Sequence, residues 1–219
     1  MSESIYQDAR AIGAYTAGKV ARLQAMYLGG GSAATAARAS LARLRKLDTP
    51  GGGAWVIAGG EIFEDLPDLD LSVGDERKML RAIKATLKLY AIHQQSKQKS
   101  MAVTERGDDV PAGPRRSFGW SCGRIKPRLE NAKGVIRRLS SIESAKDFDG
   151  IEHGLRCLIT LMKSEDVPVD YYQLARDLYL LQFDFARQDV FMRWSRDFYA
   201  EMTSAAKTAG NGEDSSEKE

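Results

Sequence analysis

Apolar residues recur along this chain at the three-to-four-residue spacing of helices, with no sustained alternation of the kind a half-buried strand requires. An all-α fold is therefore expected. The first helix is predicted from about Ile5 to Leu28, with Ile12, Tyr15, Leu23 and Tyr27 on its apolar side and Gly29-Gly30-Gly31 as its stop. Ser32 is placed to cap a second helix that carries Leu41, Leu44 and Leu47 and ends before Pro50 and Gly51-Gly52-Gly53. A third runs from about Asp75 to His93 with Leu80, Ile83, Leu87 and Tyr90 inward, while Arg77, Arg81, Lys84 and Lys88 form a separate basic stripe. The pattern does not settle a structure for Trp55 to Phe63, and the acidic stretch around Pro67 reads as a loop.

Beyond His93 the periodicity lapses. Gln94 to Pro114 is polar and punctuated by Gly and Pro, so it is expected to be a flexible linker between two small helical bundles. The expected organisation is an N-terminal helical half over 1–93, the linker over 94–114, a C-terminal helical half over 115–202, and a disordered acidic tail over 203–219. In the second half Phe118, Cys122 and Ile125 face one way, Pro127 starts a helix carrying Leu129, Ile136 and Leu139, and Phe148, Ile151, Leu155, Leu158 and Met162 define the next. Two further helices follow: Asp170 can cap the first, Gln173 can close its capping box, and Val169 can staple onto Leu174. Leu174, Leu178, Leu181 and Phe185 continue that stripe to a break at Phe183-Asp184-Phe185, after which Phe191, Trp194 and Phe198 repeat it.

At 219 residues, 43% hydrophobic and 28% charged, the chain is long enough for one domain or two small subdomains. No apolar run reaches the ~20 residues of a membrane span, and MSESIYQDAR has neither a basic lead nor an apolar signal core, so no membrane partner and a cytoplasmic location are expected. Cys122 and Cys157 lack metal-ligand spacing and are expected to be reduced thiols in the core.

The net charge of +2 conceals segregation. Seven acids and no base lie between Glu61 and Glu76, whereas eight bases and only Glu130 lie between Arg115 and Arg138. The acids are scattered with no histidine among them, which favours a solvated loop over a two-metal nuclease centre. Gly13 to Val20 nearly spells a phosphate loop, but Val20 stands where a magnesium-ligating hydroxyl would be needed. His93 and His153 have no thiol or carboxylate partner at a useful spacing, and His153 falls opposite the apolar stripe of its helix, hence exposed. No catalytic residue, metal or other cofactor is expected.

The helix pair from Asp170 to Tyr199 resembles the CasB family, small subunits of the type I-E CRISPR Cascade complex. The likeness rests on Leu174-Ala175-Arg176-Asp177-Leu178-Tyr179, the break, and the closing Arg193-Trp194-Ser195-Arg196-Asp197-Phe198-Tyr199. Ser117-Phe118-Gly119 is similar to the family's Ser-Leu-Gly helix start, and Leu41-Ala42-Arg43-Leu44-Arg45 to its basic second helix. The resemblance implies a non-catalytic, all-helical subunit present twice per complex, the second copy head to tail, packed along the backbone subunits beside the large subunit. It implies contacts to guide RNA, the target DNA strand and the displaced strand that stabilise the R-loop in antiviral defence. Base pairing would then read sequence, and this subunit would hold backbones.

Family positions carried over one by one are Arg45 and Lys46, Arg77 with Arg81, and Arg137 with Arg138, then Arg156 and Arg187. Arg115, Arg116, Arg124 and Lys133 join them on charge density alone. Cations on a rigid helical surface bind phosphates by counterion release whatever the base sequence. Each is also what keeps an ordinary helix soluble. Arg193, flanked by Asp189 and Asp197 at i−4 and i+4, suits an intrahelical ion pair as well as a phosphate, and Trp194, Phe198 and Tyr199 sit at core spacing. Two other function classes remain open on sequence: a helical protein–protein adaptor that does not touch nucleic acid, and a metal-dependent nuclease.

Overall fold

A computed structural model describes residues 2–47, 54–103, 116–125 and 129–213. Ten helices are found among them: α1 (Ser2–Gly29), α2 (Gly31–Arg45), α3 (Ala54–Ile57), α4 (Gly59–Phe63), α5 (Val73–Gln94), α6 (Phe118–Gly123), α7 (Leu129–Glu143), α8 (Phe148–Ser164), α9 (Tyr171–Leu180) and α10 (Asp184–Glu213). The protein is all-α. Its one β interaction among the described residues is an isolated parallel bridge between Ala102 and Val169.

Local chemistry sets the helix starts. Ser72, Ser117, Asp147 and Asp170 each accept a hydrogen bond from the backbone N–H three residues on, satisfying a donor the first turn leaves free. Ser32 does not play this part: α2 begins at Gly31 behind Gly30 at φ 81°, with no side-chain cap. Gln173 turns its side chain along α9 instead: its amide nitrogen donates to Asp177 Oδ1 at 2.9 Å and its Oε1 accepts from Arg176 Nη1 at 3.5 Å.

α5 lies at the centre, packed by α1, α2, α8 and α9, and α9 lies along α1, so helices from the two sequence halves interleave. Tyr90 and Tyr171 meet edge to face where α5 crosses α9, with centroids 5.2 Å apart. His93 is buried beside them, its Nδ1 3.0 Å from the Tyr171 hydroxyl. Burial holds its pKa down to about 3. The beginning of the expected linker is docked: Gln94 Oε1 accepts from Met101 N, Gln24 Oε1 accepts from Ala102 N, and Lys97 and Lys99 both reach Asp166. Residues 104–115, the remainder of that segment and Arg115, lie outside the described residues.

α6 sits on α10 at a close approach that only glycine permits. A Cβ on Gly119 would stand 1.8 Å from the Trp194 carbonyl oxygen. Below it Trp194 is buried, tilted against Phe118 and edge-on to Phe191. Trp194 donates from Nε1 to Asp177 Oδ2, and Arg193 pairs with Asp177 Oδ1 at 2.5 Å. The ion pair of Arg193 is thus interhelical, to α9, and Arg196 takes Asp197 instead.

The stripe of α8 is buried as expected at all five positions. α7 differs: Val135 and Ile142 are buried, Ile136 points outward, and the side chain of Leu129 lies outside the described residues. α7 packs chiefly on α8, so one narrow line of contact decides its inward positions. Phe185 and Tyr199 are exposed rather than in the core, and Cys157 is an exposed thiol while Cys122 is buried. α10 carries helix through residues 203–213, where sequence composition favoured disorder. Residues 214–219 lie outside the described residues. No helix among the described residues is long and apolar enough to cross a membrane.

Candidate nucleic-acid interface

The basic stripe of α5 is graded in depth. Arg77 and Arg81 are exposed, Lys84 is half-buried, and Lys88 is buried, because α5 runs from the surface into the packed centre of the bundle. α8 lies alongside, and between the two opens a cleft of about 620 Å³ lined by Arg81, Lys84, Lys88, Asp149, Glu152, His153 and Arg156, with Leu47 closing one side. Among the described residues four permanent cations face two carboxylates there, an excess of positive charge.

The cations are held by their surroundings. Arg81 spreads over the Phe148 ring with its guanidinium carbon 5.5 Å from the centroid. Lys88 Nζ meets Glu152 Oε1 at 2.6 Å, both side chains almost wholly out of water. This pair neutralises itself on the cleft floor. Arg81, Lys84 and Arg156 line the rest of the cleft.

Past the deep end of the cleft a second basic cluster gathers at the end of α2. Arg45 donates from Nη1 to the Ala91 carbonyl at 3.2 Å, and burial lowers its pKa. Lys163 on α8 is lowered too, by burial first and then by the like charges of Arg45 and Lys97. Lys46 follows Arg45 and is exposed as the C-cap of α2.

Other expected site residues lie apart from this cleft. Arg77 stands at the outer end of α5. Lys133, Arg137 and Arg138 are exposed on α7, where Arg138 Nη1 donates to the Gly134 carbonyl. Arg116 and Arg124 flank the Trp120 ring at 4.3 and 4.7 Å, and Arg124 also pairs with Glu201. Arg187 donates from Nη2 to the carbonyls of Glu143 and Ala145, both at 2.8 Å, and so closes the C-terminal end of α7. That arrangement gives Arg187 a bracing role between α10 and α7.

The cleft thus brings together Arg81 and Arg156 from the expected set and adds Lys84, Lys88 and His153. The two lysines were visible as members of the α5 stripe. Their junction with α8 was not, since nothing local in the sequence says which helix lies alongside. The acids near Pro67 are partly engaged: Glu61 with Arg43, Glu64 with Lys19 and Arg22. No group of three potential metal ligands gathers among the described residues.

Residues 37–199 match the family model of the CRISPR-associated protein Cse2. No curated protein matches. Among solved structures, CasB from Thermobifida fusca is 25% identical with a TM-score of 0.67, covering 86% of this chain and 97% of that one. A chain of a CRISPR RNA-guided surveillance complex is 20% identical with a TM-score of 0.59, covering 90% and 99%. CasB from M. ruber is 20% identical with a TM-score of 0.55, covering 87% and 97%. With the family model spanning most of its length and the fold agreeing over nearly all of each relative, this chain belongs to the Cse2, or CasB, family.

Proposed function

We propose that this protein is the non-catalytic small subunit of a type I-E Cascade surveillance complex in the cytoplasm, where it binds nucleic-acid backbones without regard to sequence. The observation that carries this reading is the convergence of Arg81, Lys84, Lys88 and Arg156 on one cleft between α5 and α8. Family membership supports the assembly, since a structural relative is described as part of an RNA-guided surveillance complex.

In this reading two copies lie head to tail along the backbone subunits, beside the large subunit. The cleft cations, with Arg45 and Lys163 beyond, hold phosphates of the target or displaced strand, and the exposed bases of α7 face guide RNA or a neighbouring strand. Exchange of a DNA duplex for a guide–target heteroduplex is nearly balanced, so modest backbone contacts tip it toward the open R-loop. Gel-shift titration of the purified chain with single- and double-stranded DNA and RNA of several sequences tests this, with a magnesium- and manganese-supplemented control. Sequence-tolerant binding that weakens steeply with salt, and no cleavage, is the expected result. Absence of binding at low salt, or metal-dependent cleavage, counts against it.

A further inference from the structure

An aromatic side chain stands at the edge of the cationic cleft. Trp55 of α3 is 43% exposed. Phe63 of α4 backs it at 6.0 Å between centroids, tilted by 37°. Lys84 Nζ lies over the indole, 5.6 Å from the ring centroid, and the same Lys84 lines the cleft.

Lys84 therefore joins two kinds of surface. One is the row of cations, Arg81, Lys84, Lys88 and Arg156, which suits a phosphate backbone. The other is the exposed part of the indole, which suits a planar π system. Their combination is the chemistry by which proteins hold single strands: a positive groove tracks the backbone while aromatic rings take bases in a sequence-tolerant stack. A paired base inside a duplex is already stacked on both sides and has no free face to offer.

The other tryptophans are disposed differently. Trp194 is buried, and Trp120, flanked by Arg116 and Arg124, is half-buried. Trp55 alone of the three is exposed, and it shares Lys84 with the cleft.

We propose that Trp55 is a base-stacking residue, which takes an unpaired base of a single strand whose phosphates lie along Arg81, Lys84 and Arg156. The inference rests on the nucleic-acid reading of the cleft and adds to it a preference for unpaired over paired nucleic acid. Binding places a base on the exposed part of the indole.

The test compares the parent chain with Trp55→Ala and Trp55→Phe on two probes, an oligo-dT strand and a blunt duplex of equal length, at low salt. Trp55→Ala is expected to bind the strand about ten-fold or more weakly and the duplex as the parent does. Trp55→Phe keeps a stacking face and is expected to retain strand binding, while losing the tryptophan fluorescence quench that oligo-dT produces in the parent. Unchanged strand affinity in Trp55→Ala, equal losses on strand and duplex, or a quench that persists in Trp55→Phe each overturn the assignment. The quench needs only the conservative variant, so it decides the matter even if Trp55→Ala does not fold. A parent chain that binds the duplex but gives no such discrimination leaves the proposed function standing without this residue. A parent that binds neither probe overturns both.

Discussion

Trp194 on α10 donates its indole N–H to Asp177 on α9 across 2.7 Å, inside a core where neither side chain reaches water. Asp177 also receives Gln173 and Arg193, and even so its burial raises its pKa, because desolvation outweighs those favourable contacts. The string of arginines and aromatics from Arg193 to Tyr199 thus builds a joint between helices. Trp194→Phe keeps most of the ring and leaves Asp177 short of one donor, and is expected to cost about 1–3 kcal/mol. Trp194→Ala adds a cavity and is expected to cost about 3–5 kcal/mol. Urea unfolding of both variants measures this, and a Trp194→Ala protein as stable as the parent refutes the joint.

Gly119 faces the carbonyl of Trp194 so closely that a methyl group cannot fit. Gly119→Ala must push α6 off α10, taking Phe118 away from the indole. A loss on the order of 1–3 kcal/mol is expected, of the size that overpacking causes elsewhere. Gly18, where a Cβ meets nothing within 4 Å, is the control: Gly18→Ala lies within α1 and is expected to stabilise modestly. Thermal melts of the pair give opposite signs if the packing is as described.

Features written in local sequence were legible. Asp170 as a cap, the five-position stripe of α8 and the all-α class follow from spacing and hydrogen-bonding chemistry alone. What depended on which helices become neighbours was not. Arg193 has two acids at helical spacing, yet takes Asp177, because the α9–α10 turn folds that carboxylate back against it. Ile136 and Val135 are adjacent and both apolar, and only the line of contact with α8 chooses between them. Arg81 and Arg156 face one cleft although nothing near either residue announces the other. Trp55 lies in a glycine-flanked segment too short for periodicity to speak, and its relation to Lys84 is wholly tertiary.

His93 makes stability depend on pH. Burial lowers its folded pKa to about 3, with the charges of Lys163 and Lys97 adding to the effect and Asp166 opposing it. An unfolded histidine titrates near 6.5, so above that pH both states are neutral and nothing is gained or lost. Below it the unfolded chain takes up a proton that the folded chain refuses, and stability falls by up to about 1.4 kcal/mol per pH unit. His93→Gln removes that proton from the balance. The stability difference between parent and variant, from urea midpoints at pH 7 and pH 5, is expected to shrink at the lower pH. A difference that does not change with pH is the contrary result.

The proposed head-to-tail arrangement predicts a monomer in isolation. A heterologous contact does not close on itself, and a weak one needs the backbone subunits to hold both copies at high effective concentration. Sedimentation of the purified chain at micromolar concentration checks this, and a stable closed dimer contradicts the arrangement.

The cleft predicts how salt acts. Each phosphate contact contributes about −0.7 to −0.9 to the slope of log affinity against log salt, for single strands and duplexes respectively. Arg81 and Arg156 stand on different helices and open onto the same space, so Arg81→Ala with Arg156→Ala removes two contacts from one path. The slope is expected to flatten by about 1.4 to 1.8 units. Arg137 and Arg138 lie on α7, away from that path, and replacing both by Ala is expected to weaken binding by a smaller factor. Folding is expected to survive in all four positions, because exposed charges usually change stability by less than about 0.5 kcal/mol. Fluorescence anisotropy across a salt series, with melts as the folding control, distinguishes the two pairs. Equal slopes in the parent and the cleft variant place the binding surface elsewhere on the molecule.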